Sequence, residues 1–338
     1  MKKKLLALVL AAAMTLSLAA CGGSKTETPA DNSGDTAADT ETPAEGASYT
    51  VGICQLVQHP ALDAATQGFM DALNEALPGQ VKFENNNASG DATNCATIVN
   101  GFVSEGVDLI MANGTTALQA AATGTSTIPI LGTSITEYGV ALGIDGFTGT
   151  TGYNVSGTSD LAPLDQQAEM LHTWFPDAQT VGLLYCSAEA NSQYQVDTVQ
   201  GYLEDLGYTC TQYSFSDSND LSAVASSACT ASDVLYVPTD NTAANNAELI
   251  GNISLDTGTP IIAGEEGICK GCGVATLTIS YYDIGYKTGE MAYDILVNGA
   301  DPATMPIEYA PQFTPKYNPT MCEALGLTPP DGYEAIAE

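Results

Sequence analysis

The sequence predicts an α/β protein made of two doubly wound lobes, each built around a mostly parallel sheet. Short apolar runs alternate with segments of helical periodicity from residue 49 onward. This alternation occurs twice, on either side of a Gly-, Thr- and Ser-rich stretch at 143–160. About 290 residues remain from Tyr49 onward, which fits two domains of ordinary size. Strands and helices that alternate at this spacing are typical of right-handed βαβ units.

The first series of elements begins with YTVGIC at 49–54, which has the composition of a buried strand. A helix is predicted at 61–77, where Leu62, Phe69 and Leu73 fall on one face. The following strands are predicted in VKFEN, VDLIMA and IPILG, and the intervening helices in DATNCATIVNGFVSEG and GTTALQAAATG.

The second series repeats the pattern from residue 163 onward. Its predicted strands are TVGLLYC, YTCTQYSF, DVLYV, PIIAG and VATLTIS, and its predicted helices lie around 163–175, 190–206, 219–229 and 243–257. A further amphipathic helix, YYDIGYKTGEMAYDILVNG, and a strand, MPIEYA, are too short for a third domain. We therefore expect the chain to cross back and complete the two lobes.

The N-terminus has the features of an export signal. Lys2, Lys3 and Lys4 precede the apolar run LLALVLAAAMTLSLAA, which is typical of a signal peptide over residues 1–20. The run ends in LAAC, which resembles a bacterial lipobox and implies diacylation of Cys21; ordinary cleavage before an unmodified cysteine is the alternative. Residues 21–48 carry no large apolar side chain and predict a disordered acidic tether. The protein is thus expected outside the cytoplasm, held at the membrane surface by the lipid on Cys21.

The charge of the chain restricts what it can bind. The sequence holds 8 Lys+Arg against 40 Asp+Glu, a formal net charge of −32, and every basic residue is a lysine. So acidic a protein repels phosphate backbones, which excludes nucleic acid as a partner. Without arginine it has no bidentate clamp for a carboxylate. An anionic group must then be held by backbone N–H groups, hydroxyls or amides.

The cysteines leave alternatives open. Eight remain besides Cys21, and an even number in an exported protein is compatible with disulfides. Several lie in strand-like runs, where cysteine acts as a small buried hydrophobic side chain. Only Cys269 and Cys272, in CKGC, have a suggestive spacing, and no second Cys or His pair completes a zinc site. We expect no metal and no cofactor; a local disulfide or free thiols both remain compatible with CKGC.

An acid stands in an unusual position in DVLYVPTDNTAAN, residues 233–245. Asp240, with Thr239 and Asn241 beside it, follows a buried strand directly. Asp and Asn are preferred helix caps, so capping is one interpretation. Open α/β sheets also bind small molecules beyond the carboxyl ends of their strands, so a ligand site is the other.

Polar side chains also follow the other predicted strands. If the carboxyl ends of the strands converge on a cleft between the lobes, these side chains meet there. They are Gln55 and His59 after the first strand, Thr115 and Thr116 after VDLIMA, Asn191 and Ser192 after TVGLLYC, Glu265 after PIIAG, and Tyr281 and Tyr282 after VATLTIS. His59 precedes Pro60, so it could instead cap the first helix, and the two tyrosines could pack in a hinge.

Five segments carry a resemblance to a known family. GICQLVQHPALDAATQGFMDAL, LLYCSAEANSQYQV, LYVPTDNT, AGEEG and ATLTISYYDIGYKTGEMA are similar to the substrate-binding lipoproteins of tryptophan/tyrosine-type ABC importers. The similarity extends, in order, from Tyr49 to about Leu327. It implies a type I periplasmic-binding-protein fold, in which two Rossmann-like lobes joined by three hinge crossings enclose a ligand.

The resemblance also implies where the lobes divide. One lobe is expected at 49–159 plus 281–306, and the other at 160–280 plus 307–338. The hinge crossings are then expected near 157–160, 279–282 and 305–308.

The resemblance implies an amino-acid ligand, aromatic or large and apolar, delivered to an ABC permease. The ligand's ammonium group needs an acid, for which Asp240 is the first candidate and Glu265 the second. Its carboxylate needs neutral donors, and Thr115 with Thr116, or Asn191 with Ser192, meet that need.

The sequence is also compatible with functions other than delivery of an amino acid to a permease. A sensor that signals to a membrane receptor would have the same lobes, and a different small solute such as a nucleoside could fill the cleft. An exported enzyme is disfavoured because the sequence has no G-x-S-x-G elbow, P-loop or metal cluster.

Overall fold

The computed structural model describes residues 48–337 and confirms the predicted α/β fold with two parallel-sheet lobes. The signal peptide, Cys21 and the tether through residue 47 lie outside the described residues. From Tyr49 the first series of elements is β1 (Tyr49–Gln55), α1 (Pro60–Ala76), β2 (Val81–Asn87), α2 (Ala92–Glu105), β3 (Leu109–Asn113), α3 (Thr115–Gly124), β4 (Ile130–Ile135), α4 (Tyr138–Leu142) and β5 (Val155–Ser159).

The second series is α5 (Leu164–Trp174), β6 (Thr180–Cys186), α6 (Ala190–Asp205), β7 (Thr209–Phe215), α7 (Ser218–Ala231), β8 (Val234–Val237), α8 (Asn241–Asn245), α9 (Ala247–Thr257), β9 (Ile261–Ala263), α10 (Glu266–Gly271) and β10 (Ala275–Thr278). The chain ends with α11 (Tyr281–Asn298), β11 (Glu308–Tyr309), β12 (Thr314–Tyr317), α12 (Pro319–Leu325) and β13 (Glu334–Ala335).

Each series forms its own sheet. The first lobe has the strand order β11-β5-β4-β3-β1-β2, with all neighbours parallel. The second lobe has the order β13-β12-β10-β9-β8-β6-β7, in which β12 runs antiparallel to β10. The central strands are buried on both faces because helices cover both sides of each sheet, as their continuous apolar runs predict.

The chain crosses between the sheets three times. It leaves the first lobe after β5, returns between β10 and α11, and leaves again between β11 and β12. The third crossing lies later than the 305–308 expected from the sequence, because Glu308 and Tyr309 pair with β5. Ile307 is buried in the core of the first lobe, which holds this segment there. The crossing itself is the stretch 310–313.

Small residues bring α11 back onto the first lobe. A side chain added at Gly68 in α1 would lie 2.1 Å from the carbonyl oxygen of Tyr282, and one at Gly285 would lie 2.0 Å from that of Ala65. The two helices therefore pack backbone to backbone, which fixes the start of α11 beside the cleft. The predicted helix at 243–257 is in fact two helices, α8 and α9, that break at Asn246.

Within residues 48–337, every helix is too short or too polar to span a bilayer.

Candidate functional site

The carboxyl ends of the strands meet between the lobes, as the sequence predicted, and a small cavity lies there. Most of the lining residues lie one to five residues beyond the end of a strand. The first-lobe side and the crossings supply His59, Leu62, Ser134, Thr136, Asp160 and Tyr281; the second lobe supplies Asn191, Thr239, Asp240, Asn241, Ala244 and Glu265.

Asp240 both caps a helix and lines the cavity. One carboxylate oxygen accepts the N–H of Ala243 at 2.7 Å, and the other accepts the N–H of Cys186 at 2.7 Å. The side chain is 1% exposed. Burial, and then the nearby charge of Glu189, raise the pKa of Asp240 to about 8. The capping interpretation of DVLYVPTDNTAAN is thus correct for the local structure, while the carboxylate still lies against the space between the lobes.

Glu189 and Asn241 fix the orientation of a contact across the cleft. Glu189 accepts from the backbone N–H groups of Asn241 and Thr242 and from both their side chains, at 2.7–3.0 Å. Since the amide nitrogen of Asn241 donates to Glu189, its Oδ1 must be the acceptor toward His59 Nε2, 3.2 Å away. His59 occupies the cap position of α1 but makes no side-chain cap bond. It therefore joins the first lobe to the second.

Asp160 lies in the first crossing and is 5% exposed. It accepts the hydroxyl of Tyr281 at 3.0 Å on one oxygen and that of Thr136 at 3.1 Å on the other. Burial raises the pKa of Asp160 to about 6, against the opposing effect of the two hydroxyls. From the sequence, Asp160 was predicted only as part of a hinge and not as a site residue.

Glu265 is the third buried carboxylate of the cavity. It caps α10 by accepting the N–H groups of Gly267, at 2.7 Å, and Ile268. Burial raises its pKa, and the neighbouring His59 lowers it. Among the described residues, no lysine pairs with Glu265, Asp240 or Asp160. The four described lysines contact other groups, namely Glu84, Ala337 O, Glu290 and Glu266.

Two buried polar atoms on the cavity wall have no hydrogen-bond partner, the hydroxyl of Ser134 and Oδ1 of Asn191. Ser134 has φ 55°, a left-handed conformation uncommon for a residue other than glycine. Such backbone strain is found most often at functional sites. A buried hydroxyl that faces a cavity without a partner is a donor available to a ligand.

An irregularity in the sheet places Ser134 in this position. The pairing of β4 with β5 shifts register between Gly132 and Ile135. Gly157 in β5 has φ 140°, and a side chain there would lie 2.0 Å from Gly132 O. The hydroxyl of Tyr138 donates to Gly132 O at 3.0 Å and fills the remaining space. No pattern in the sequence predicts this bulge, so Ser134 and Thr136 were not among the predicted site residues.

The structure brings together some of the residues predicted from the sequence and not others. Those that line the cavity are His59, Asn191, Thr239, Asp240, Asn241, Glu265 and Tyr281. Those that do not are Gln55, Thr115, Thr116, Ser192 and Tyr282.

The predicted residues outside the cavity have other contacts. Gln55 bonds to Val57 O, Asp63 and Thr66 inside the first lobe. The side chain of Ser192 lowers the pKa of Asp240 by hydrogen bonding to its charged form. Tyr282 lines the wider groove next to the cavity, is 39% exposed and donates to Asp71 at 3.1 Å. Thr115 lies buried and Thr116 half-buried in the first turn of α3.

A wider groove of about 1360 Å³ opens next to the cavity, between α1 and α11 on one side and α8 to α10 on the other. The groove and the cavity share His59, Ala244, Glu265 and Tyr281 as lining residues. Aliphatic side chains, including Ala61, Ile279 and Pro311, line part of its wall. The polar cavity is therefore the inner end of a larger space between the lobes.

The described cysteines, Cys269 and Cys272 among them, are free thiols, and all are buried except the half-buried Cys210. In the part of the chain from 48 to 337, no group of three or more His, Cys, Asp or Glu side chains is placed to hold a metal ion.

The chain is similar to proteins of one transport family. The sequence profile of ABC transporter substrate binding proteins matches residues 50–337. A tyrosine-binding protein of Clostridioides difficile is 36% identical over 249 residues, which cover 73% of this chain and 72% of that protein.

Solved structures agree with this result. A domain from Streptococcus pneumoniae in complex with L-tryptophan superposes with a TM-score of 0.82 at 29% identity, over 86% of this chain and 100% of that one. The ligand-free, open structure of a Clostridium difficile substrate-binding protein with adhesive properties superposes with a TM-score of 0.65 at 35% identity, over 85% of this chain and 99% of that one.

Proposed function

The chain belongs to the family of ABC transporter substrate-binding proteins, and from this premise we propose that it captures an aromatic amino acid, tryptophan or tyrosine, between its lobes. One observation carries the proposal. Three buried carboxylates, those of Asp160, Asp240 and Glu265, line the cavity, and no lysine of the described residues pairs with them. Uncompensated buried carboxylates are costly unless a cation arrives, and an amino acid brings an ammonium group.

The ammonium group is assigned to Asp240, whose oxygens retain lone pairs beyond the two backbone N–H groups that they accept. The carboxylate is assigned to the hydroxyl of Ser134, the cavity donor without a partner, in place of the threonines of α3. The groove beside the cavity gives an aromatic side chain room, and the relatives named for tyrosine and tryptophan support this ligand class.

A thermal-shift screen of the twenty amino acids and common nucleosides against residues 49–338 tests the ligand class. At a hundredfold excess over Kd, binding to the native state adds about 2.7 kcal/mol of stability. The melting temperature should then rise by several degrees, about 4 °C for a chain of this size. We expect L-tryptophan or L-tyrosine to give the largest shift. A shift with a nucleoside and with no amino acid would mean that the ligand class is wrong.

We also propose that the lobes close on the ligand about the three crossings, as periplasmic binding proteins do by hinge motion. The order of the solved relatives supports this. The ligand-free, open structure has the higher identity but the lower TM-score, 35% and 0.65, against 29% and 0.82 for the complex with L-tryptophan. A chain whose lobes are closed superposes better on a closed complex than on an open structure, even where the open structure has the more similar sequence. The contact of His59 with Asn241 is one that closure would form.

Small-angle X-ray scattering tests the closure. The radius of gyration of residues 49–338 should decrease when L-tryptophan or L-tyrosine saturates the site, because the interlobe cleft closes. An amino acid that leaves the melting curve unchanged serves as the control and should leave the scattering unchanged. Identical scattering with and without a bound ligand would contradict the hinge.

As a member of this family the protein works with an ABC permease, outside the cytoplasm. We propose that a lipid on Cys21 anchors it to the membrane. The variant Cys21→Ser should then be released into the medium, whereas the parent protein partitions into detergent. Equal partitioning of the two would exclude the anchor.

A further inference from the structure

Asp160 differs from the other two carboxylates of the cavity. Asp240 and Glu265 each accept two backbone N–H groups, and for each acid at least one of the two donors lies in the first turn of a helix. Helix capping therefore explains why these two carboxylates are buried. Asp160 accepts the hydroxyls of Tyr281 and Thr136 and caps no helix. A buried carboxylate with neither a cation nor a helix to cap is a candidate functional group.

The position of Asp160 joins two hinge crossings. The residue follows β5 directly, in the first crossing, and its backbone N–H donates to Ile135 O at 3.2 Å. Tyr281 begins α11 at the end of the second crossing. The hydrogen bond between Asp160 and Tyr281 therefore ties together the two segments that must turn when the lobes move.

Asp160 and Asp240 face the same small cavity from different parts of the molecule, one from the hinge and one from the second lobe. An ammonium group has three donors, which is more than one carboxylate needs. Each oxygen of Asp160 accepts a single hydroxyl and so retains a lone pair. A single ammonium group can thus be shared by both acids.

We propose that Asp160 contacts the ammonium group of the ligand together with Asp240, and that this contact couples ligand binding to the hinge through Tyr281. The proposal rests on the proposed function, since it requires an amino-acid ligand. Asp160 is then a specificity-determining residue that selects ligands with an ammonium group, and Tyr281 is a positioning residue.

The variant Asp160→Asn tests the contact because it should fold. The hydroxyls of Tyr281 and Thr136 can rotate, so one of them can accept from the new amide nitrogen. The probes are L-tryptophan and L-tyrosine, compared with their analogues without the ammonium group, indole-3-propionate and 3-(4-hydroxyphenyl)propanoate. Affinities are measured by calorimetry and by competition.

We expect Asp160→Asn to weaken binding of the amino acids about tenfold to a hundredfold, the effect of one charged hydrogen bond. Binding of the analogues without the ammonium group should stay the same or improve, because a negative charge has left the cavity. The control Tyr281→Phe removes a hydrogen bond but no charge. It should lower the affinity for the amino acids by a smaller factor than Asp160→Asn does, and leave the affinity for the analogues within a few fold, because they do not contact Asp160 through an ammonium group.

Two results overturn the proposal while the proposed function stands. They are an Asp160→Asn variant that binds the amino acids as the parent does, and one that loses affinity equally for both kinds of probe. If the parent protein binds neither L-tryptophan nor L-tyrosine, the proposed function is wrong and the assignment of Asp160 is wrong with it.

Discussion

Asp240→Ala is expected to weaken binding of L-tryptophan and L-tyrosine by a factor of about 30 to several thousand. The substitution leaves the ligand's ammonium group desolvated without its main partner, which costs about 2–5 kcal/mol. Asp240→Asn should also bind poorly, because the amide keeps the shape but loses the charge. Calorimetric affinity and melting temperature are measured together on both variants.

Stability separates the two roles of Asp240. The carboxylate accepts from Cys186 N–H and from Ala243 N–H on different oxygens. The amide of an asparagine has one oxygen, so it can accept from only one of these two N–H groups. Its NH₂ group, which is itself a donor, then faces the other N–H group. We therefore expect Asp240→Asn to lose about 1–3 kcal/mol of folding stability as well as affinity.

Glu189→Gln is the matched control for Asp240. Glu189 is also a buried carboxylate that holds the start of α8 through backbone N–H groups, but it does not line the cavity. The variant should lose a similar amount of stability, and its affinity should fall much less than that of Asp240→Asn, because Glu189 acts on the cavity through Asn241 and does not line it. If Asp240→Asn loses stability but binds both amino acids normally, Asp240 is only a cap and the ammonium assignment is wrong.

The fold was predictable because each lobe repeats one local pattern. Buried strands such as β3 and β8 are continuous apolar runs, and α1 has a clear apolar face, so periodicity alone identified them. The late third crossing was not predictable. It depends on whether Ile307 is buried in the core of the first lobe, and no local pattern encodes that tertiary contact.

The site was predictable in part, from polar residues that lie within a few residues of a strand end. Asp240 and Glu265 are in such positions, and both line the cavity. Asp160 directly follows β5 and also lines the cavity, yet it was predicted only as part of a hinge. Ser134 was missed because a bulge against Gly157 turns it toward the cavity. Thr115 was predicted as a ligand contact because it closely follows β3, but in the first turn of α3 it does not line the cavity. Strand ends thus predict the edge of a sheet that binds a ligand, whereas the contacting side chains depend on loop geometry.

The buried carboxylates predict that ligand binding depends on pH. Burial raises the pKa of Asp160 to about 6 and that of Asp240 to about 8, and it also raises the pKa of Glu265. At a pH between the pKa of such a group in the unfolded chain and its pKa in the native state, the native state without ligand therefore binds more protons than the unfolded chain does. The change of stability with pH is proportional to the number of protons bound by the unfolded state minus the number bound by the native state. That difference is negative here, so these groups make the stability fall as the pH rises through this range.

An ammonium group in the cavity favours the charged carboxylates and lowers their pKa values again. Ligand binding should then release protons, and affinity for L-tryptophan and L-tyrosine should increase from pH 5 to pH 7, by up to about tenfold per pH unit for each proton released.

Calorimetry in two buffers of different ionisation enthalpy counts the protons. The ligand-induced rise in melting temperature should likewise be larger at pH 7 than at pH 5, since the bound cation removes the cost of ionising the buried acids. Asp160→Asn should release fewer protons, because it removes one of the titrating groups. Binding that releases no protons and has the same affinity at both pH values would mean that the ligand's ammonium group does not lie against these carboxylates.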